Sequence, residues 1–314
     1  MRILFTGGSS FTGFWFIREL AKAGHEVVAT FRKRPEEYAE QRRRKRVSLA
    51  LEVCRGAFGL DFGAPRFLEL VASEKWDLLC HHAAEMTDYK SAHFDAVAAL
   101  GSNTRNVASV FEALRGRSQG CPRVLVTGSV FENDEGAGTD GLPAFSPYGL
   151  SKSFTYQAFR YHATRSGFAL GKFVIPNPFG PHEDLRFTAY LMKAWFAGET
   201  ALVQTPAYIR DNIHVSLLAK LYAEFAGRLP GRSGLFKVNP SGYVESQGAF
   251  TLRLATAMRA RLGLACNFEL MVQTTFPEPR VRINTDQPDL GALGWDENRA
   301  WDDFAAFYTD TLRP

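Results

Sequence analysis

The segment from Arg2 to Phe31 restricts the fold more than any other part of the chain. Arg2-Ile3-Leu4-Phe5-Thr6 is a short apolar run of strand character. Gly7-Gly8-Ser9-Ser10-Phe11-Thr12-Gly13 is a glycine-rich turn, and Phe14 to Ala23 carries apolar residues at helical spacing. Gly24 ends that helix and His25 to Phe31 reads as a second strand. A strand, a glycine turn, a helix and a returning strand form a unit whose two strands lie parallel beneath the crossover helix. This predicts the opening of a doubly wound parallel α/β sheet and excludes an all-β or all-helical start.

The alternation continues. Strands are predicted at Trp76–His81, Arg123–Thr127 and Leu170–Ile175, with helices at Phe67–Glu74, Thr104–Leu114 and Pro147–Ser166 between them. At 314 residues the chain is long enough for about two domains. The turn-rich run Pro176-Asn177-Pro178-Phe179-Gly180-Pro181 marks the change of architecture. We therefore expect a Rossmann-type domain over residues 1–176, with about 211–228 packing back on it. A smaller mixed α/β lobe over 177–314, including a helix at Gln247–Leu262, would close a substrate cleft.

Composition removes several function classes. A content of 46% hydrophobic and 22% charged residues is ordinary for a globular protein. The net charge of +4 is mild, and its one cluster, Arg42-Arg43-Arg44-Lys45-Arg46, reads as a solvated helix face or loop; no nucleic-acid partner is expected. Cys54, Cys80, Cys121 and Cys266 stand far apart, which predicts free thiols and no metal site. His81 and His82 are adjacent, so on a strand they point to opposite faces, a poor arrangement for chelation. No apolar run reaches membrane-spanning length and no signal peptide precedes the first strand, so a cytoplasmic protein without a membrane partner is expected.

A glycine turn between a first strand and a helix lets backbone N–H groups and the helix N-terminus approach a pyrophosphate. Here the pattern is Gly7-x-x-Ser10-x-x-Gly13, with serine where the middle glycine usually sits, and Ser9, Phe11 and Thr12 complete the cradle. A carboxylate about twenty positions further on would bind a ribose 2′-hydroxyl. Thr30-Phe31-Arg32-Lys33-Arg34 stands there instead. Guanidinium groups suit a 2′-phosphate, so NADP(H) is favoured, with NAD(H) the alternative; Arg32 is the first candidate and Arg34 the second. Asp61, in a plausible third-strand region, is a candidate for the adenine end.

Farther along, Ser146-Pro147-Tyr148-Gly149-Leu150-Ser151-Lys152 reads as a helix start, with Ser146 as N-cap and Pro147 at the first helical position. Tyr148 and Lys152 then lie one turn apart on one face. A phenol, with a pKa of about 10, exchanges protons poorly at neutral pH unless a cation stabilises its phenolate. Lys152 is placed to be that cation.

With these segments and His82-Ala83-Ala84 in place, the chain resembles the extended short-chain dehydrogenase/reductases. Among them it is similar to the NAD-dependent epimerase/dehydratase group that acts on nucleotide sugars. Pro176 to Pro181 resembles that group's Pro-x-Asn-x-Tyr-Gly-Pro, and Arg210-Asp211-Asn212-Ile213-His214-Val215 its Arg-Asp-x-x-His-Val. The resemblance implies that Tyr148, Lys152 and a strand-end hydroxyl are catalytic: Thr127, with Ser129 the alternate. It extends the cofactor surface to His82, Ala83, Ala84, Tyr148, Lys152 and Ile175. It assigns Ser129, Asn177, Arg210 and Arg282 (or Arg280) to a nucleotide-sugar substrate and implies a homodimer. The group's 4,6-dehydratases carry an acidic residue just after the strand-end hydroxyl, where this chain has Gly128 and Ser129. The implied activity is NADP(H)-dependent reduction of a 4-keto sugar nucleotide, with C4 epimerisation on bound NAD as the alternative and a catalytically silent cofactor-binding protein as a second.

Overall fold

The computed structural model describes residues 1–117, 120–138 and 141–313. In chain order the helices are α1 (Phe11–Lys22), α2 (Gln41–Leu51), α3 (Pro65–Ser73), α4 (Ala96–Asn103), α5 (Val107–Arg117), α6 (Pro147–Ser166), α7 (Phe187–Phe196), α8 (Val215–Arg228), α9 (Gln247–Leu262) and α10 (Glu297–Leu312). The strands are β1 (Arg2–Thr6), β2 (Glu26–Phe31), β3 (Arg55–Phe58), β4 (Leu78–His81), β5 (Arg123–Ser129), β6 (Ala137–Gly138) and β7 (Ala169–Ile175). They continue with β8 (Asn177–Phe179), β9 (Ala201–Val203), β10 (Ile209–His214), β11 (Gly234–Val238), β12 (Tyr243–Ser246), β13 (Phe268–Leu270) and β14 (Val281–Ile283). Two compact units result: Met1–Glu135 with Leu142–Ile175 and Ala219–Asn239, and Gly136–Gly141 with Pro176–Leu218 and Pro240–Pro314.

The first unit is a Rossmann-like α/β fold. Its seven strands are all parallel, in the order β11-β7-β5-β4-β1-β2-β3. Parallel strands covered on both faces need apolar side chains on both. Leu4, Leu79, Val124, Val126 and Leu170 accordingly meet Phe67, Val110, Phe111 and Phe159 on one side. Phe5, between Leu4 and Thr6, points the other way, toward Tyr222 of α8, which stacks on Phe16 at 3.9 Å. The strand order reverses between β1 and β4, and the register pairs Thr6 with His81 and His81 with Val126. Gly7, His82 and Thr127 therefore emerge side by side at the carboxyl ends of neighbouring strands, where ligands bind in such sheets.

Three local expectations change. The third strand is Arg55–Phe58, and Asp61 lies after it on an exposed turn between Gly59 and Gly63, both at positive φ. The basic run forms helix α2, but its Arg46 is fully buried. Helix α4, capped by Asp95 on the N–H groups of Val97 and Ala98, had no counterpart in the predicted pattern.

In the second unit β12, β10, β14 and β6 form a sheet with β8 also paired to β10. Arg210 stands opposite Arg282, and Asn212 opposite Asn177. Trp195, Phe250, Phe304 and Tyr308 belong to the apolar core formed by α7, α9 and α10. Helix α9 is bounded as predicted, with Ser246 capping Ala249 N–H and Gly263 closing it at φ 67°. Among the described residues no helix is long and apolar enough to cross a membrane.

Candidate active site

The glycine turn is held by contacts that leave no room for side chains. A Cβ on Gly7 would stand 2.7 Å from the backbone nitrogen of Ala83, and one on Gly13 would stand 2.3 Å from the Gly7 carbonyl oxygen. Gly7 has φ 84°, a conformation costly for other residues. Ser10 caps α1: its Oγ accepts from Gly13 N–H at 3.1 Å and donates to the Gly7 carbonyl at 3.0 Å. Apart from that of Gly13, which Ser10 takes, the first N–H groups of α1 have no partner within the helix, an arrangement that suits an anionic group.

Thr6 Oγ1 accepts from the backbone N–H groups of His82 and Ala83, at 3.2 and 3.1 Å, and so fixes β4's exit. His81 turns into the core, stacked on Phe159 at 4.8 Å. His82 turns the opposite way. Its Nε2 lies 3.0 Å from Ser10 Oγ and 3.1 Å from Thr12 Oγ1, and its Nδ1 lies 2.9 Å from Thr127 Oγ1. Burial, reinforced by the Lys152 charge, pushes both imidazoles down to about 3, so both rings are neutral. Thr127 itself is 3% exposed.

Helix α6 begins as predicted: Ser146 Oγ accepts from Gly149 N–H at 3.0 Å, Pro147 follows it, and Gly167 ends the helix at φ 68°. A Cβ on Gly149 would stand 2.1 Å from the Phe131 carbonyl oxygen, so this glycine lets the helix start lie against the β5 exit. The Tyr148 ring is half-buried and meets Tyr89 edge-on at 5.3 Å and Phe94 at 6.1 Å. Lys152 is buried. Its burial lowers the ammonium to about 8, with Glu132 opposing that fall and Lys172 adding to it. At neutral pH Lys152 still carries its charge.

Below Lys152 lies an ion cluster that sequence patterning missed. Lys172, in the middle of β7, reaches Glu132 at 2.5 Å and Glu135 at 2.6 Å, and Glu135 also takes Lys237 at 3.1 Å and Asn239 at 2.9 Å. Glu132 accepts from Ser129 N–H at 2.8 Å. Although burial opposes it, the two carboxylates raise the Lys172 ammonium above its usual range. The available signal was a lysine inside the apolar strand Leu170-Gly171-Lys172-Phe173-Val174-Ile175.

At the other end of the turn, Phe31 is buried against Gly8, where a Cβ would stand 3.0 Å from the ring, and it stacks on Phe58 at 5.4 Å. Arg32 and Arg34 are exposed. Arg32 pairs loosely with Glu85 at 3.5 Å, while Glu85 is fixed by the N–H groups of Met86 and Thr87 and by the Thr87 hydroxyl. The backbone N–H of Arg34 donates to Glu37 at 2.6 Å.

The substrate candidates Asn177, Arg210 and Arg282 all fall in the second unit, and Ser129 in the first. The Nδ2 of Asn177 is buried without a hydrogen-bond partner. Arg210 donates to the carbonyls of Ile209, Pro279 and Arg280, pairs with Glu278 at 2.9 Å and lies 4.2 Å over the Tyr208 ring. Its guanidinium is thus engaged in fastening the 278–280 segment. Arg282 is 1% exposed. Asp211 accepts from the N–H groups of Gly242 and Asn284, and burial still raises it to about 6.

Solved structures share this fold along the whole chain. MoeE5 in complex with UDP-glucose and NAD is 19% identical, with a TM-score of 0.71 over 99% of this chain and 100% of its own. The UDP-glucose 4-epimerase of Thermotoga maritima, with UDP-glucose, is 15% identical, with a TM-score of 0.73 over 100% of both chains. DesIV, a dTDP-glucose 4,6-dehydratase from Streptomyces venezuelae with NAD and TYD bound, is 17% identical, with a TM-score of 0.70 over 99% of this chain and 97% of its own. No curated protein matches the chain at a significant level. The family model described as the NAD dependent epimerase/dehydratase family matches residues 3–233, and it is to this family that the chain belongs.

Proposed function

We propose that this protein is an NADP(H)-dependent oxidoreductase that reduces the 4-keto group of a nucleotide-linked sugar. The observation that carries the reading is the charged, buried Lys152 one helical turn from Tyr148, on a helix start that lies against the exit of β5. The bound dinucleotide would supply the hydride. Tyr148 donates the proton to the developing alkoxide, and Lys152 stabilises the phenolate left behind. Thr127 hydrogen-bonds the reacting oxygen. Gly7, Ser9, Ser10, Phe11, Thr12 and Gly13 hold the pyrophosphate, and His82, Ala83, Ala84 and Ile175 border the rest of the dinucleotide.

The preference for NADP(H) rests on the end of β2. Phe31 is buried where an acidic residue would meet a ribose hydroxyl, and the Arg32 side chain is 60% exposed beside it. An exposed guanidinium can turn from Glu85 to a 2′-phosphate, a stronger acceptor. In the second unit Asn177, with its unpartnered amide, and Arg282 hold the diphosphate, while Arg210 fixes the segment beside them. Phe154 and Tyr161, exposed at 40% and 58% and seven positions apart on α6, support a homodimer through that helix.

C4 epimerisation is the second reading. It is favoured by the fold shared with the UDP-glucose 4-epimerase and with the NAD complex of MoeE5. An epimerase returns the hydride to the same substrate and consumes no cofactor. Purified protein supplied with NADPH and a 4-keto nucleotide sugar separates the two. Stoichiometric NADPH oxidation with formation of a hydroxyl supports the reductase. No NADPH oxidation, together with C4 interconversion of a UDP-hexose, sinks it.

A further inference from the structure

We propose that His82 is a positioning residue that sets the direction of the Thr127 hydroxyl through a hydrogen-bond chain starting in the glycine turn. The inference rests on the catalytic role of Thr127 proposed above. The imidazole is gripped at both ends: Nε2 by Ser10 Oγ and Thr12 Oγ1 at 3.0 and 3.1 Å, and Nδ1 by Thr127 Oγ1 at 2.9 Å. Phe5 and Phe16, with ring centroids 5.6 and 5.2 Å away, hold its plane. A neutral imidazole has one N–H and one bare nitrogen, so the chain of bonds runs in one of two directions.

If Nε2 carries the hydrogen, Nδ1 must take the Thr127 proton, and Thr127 has none left for a substrate carbonyl. If Nδ1 carries it, His82 donates to Thr127 Oγ1 and the Thr127 O–H is left as a donor, shared between the Tyr222 hydroxyl behind it and the substrate. The Thr12 hydroxyl at the far end selects the second direction: it is 9% exposed and has Nε2 as the acceptor within its reach, while the Ser10 proton goes to the Gly7 carbonyl. The serine that replaces the turn's middle glycine thereby gains a use: it caps α1 and also closes on the ring that orients Thr127. Each donor in such a chain polarises the next, so Thr127 becomes a better hydrogen-bond donor than an isolated hydroxyl.

Two side chains separate the two ends of the ring. Asparagine at 82 puts an amide near the Nδ1 position, and glutamine puts one near Nε2. His82→Gln should lose about tenfold more kcat for 4-keto sugar reduction than His82→Asn, without a matching difference in the Kd of NADPH. Thr127→Val should lose on the order of a hundredfold, and adding His82→Gln to it should cost nothing more. Equal losses in the two histidine variants, or additive losses in the double variant, would overturn the proposal.

Imidazole nitrogen NMR of the protein without substrate tests the direction separately. We expect a protonated Nδ1 whose shift responds to Thr127→Val and a bare Nε2 whose shift responds to Thr12→Val. An Nε2–H tautomer or a charged ring refutes it. A wild-type protein that shows the Nδ1–H tautomer but oxidises no NADPH counts against the reductase reading and leaves the hydrogen-bond chain standing.

Discussion

Replacing Glu183 by glutamine should stabilise the second unit at neutral pH and abolish a pH dependence carried by the wild type. Glu183 is 2% exposed, and its carboxylate accepts from the Thr188 hydroxyl at 2.6 and 2.7 Å and from the Tyr308 hydroxyl at 2.6 Å. Burial raises the group from the usual 4.5 to about 7, outweighing the pull of those hydroxyls and of Arg186. Between these values the native state holds a proton that the unfolded chain has released, so stability falls as pH rises. The contribution is complete below about pH 4.5 and lost as pH climbs through about 7. At about 1.4 kcal/mol per pH unit the gap is worth about 3 kcal/mol, most of it between pH 5 and 8. Glutamine mimics the protonated acid: its oxygen accepts from Tyr308 and its amide faces Thr188, but it cannot ionise. Asp211, also raised by burial, is present in both proteins and cancels in the difference. Urea unfolding followed by tryptophan fluorescence reports on this core through Trp195 and Trp301. The variant should gain about 2–3 kcal/mol on the wild type between pH 5 and 8. Parallel stability curves, or a wild type that gains on the variant with rising pH, would refute the burial argument.

Tyr148→Phe should bind NADPH normally and lose about 10²–10⁴ in kcat, measured by single-turnover NADPH oxidation. The kcat profile should fall above about pH 8 as Lys152 loses its proton, and Glu132→Gln, which removes a carboxylate favouring the ammonium, should move that limb to lower pH. Arg32→Ser should weaken NADPH about tenfold and leave NADH unchanged in fluorescence titrations. Gly128→Asp should destabilise the first unit by about 3 kcal/mol in thermal denaturation, because its Cβ would stand 2.7 Å from Lys172 Cε and 3.1 Å from a Glu132 oxygen.

The fold was legible where periodicity and punctuation agree. β1, α6 and α9 fall where they are expected, because their boundaries are local chemistry: Ser146 and Ser246 are N-caps, Gly167 and Gly263 C-caps, whereas α1 starts at Phe11, three residues before the expected Phe14, because Ser10 caps it. Local chemistry fails for β3 and α4. The strand Arg55–Phe58 is short and half-exposed, and it gains its definition from pairing with β2. Helix α4 is eight residues with little amphipathic pattern, held by Asp95 at its start and by the bond of Asn103 to Thr155 on α6 at 3.2 Å. Arg46 misled for a related reason: a charge run looks solvated in sequence, yet one turn of α2 faces inward.

The site divides along the same line. Residues whose role needs a particular backbone, such as Gly7 and Gly13, announce themselves in sequence. Residues whose role needs a partner far along the chain do not. Lys172 and Glu132 each look wrong alone, an ammonium in a buried strand and a carboxylate after Val130-Phe131. Burying either without the other would cost several kcal/mol, on the order of the 3–5 kcal/mol of a broken buried pair. At 2.5 Å they neutralise each other, and the pair sits under Gly128, one of the two positions where the family resemblance implies an acid in the dehydratases. An acid there would have to displace the Lys172 stem, so the missing carboxylate at position 128 and the buried ion pair are one feature of this chain. Glu132 cannot stand in for that acid while Lys172 and the Ser129 N–H hold its oxygens. The same charges act on Lys152 with opposite signs, Glu132 favouring its ammonium and Lys172 opposing it. The buried pair under Gly128 thus also tunes the cation on which the proposed proton transfer by Tyr148 depends.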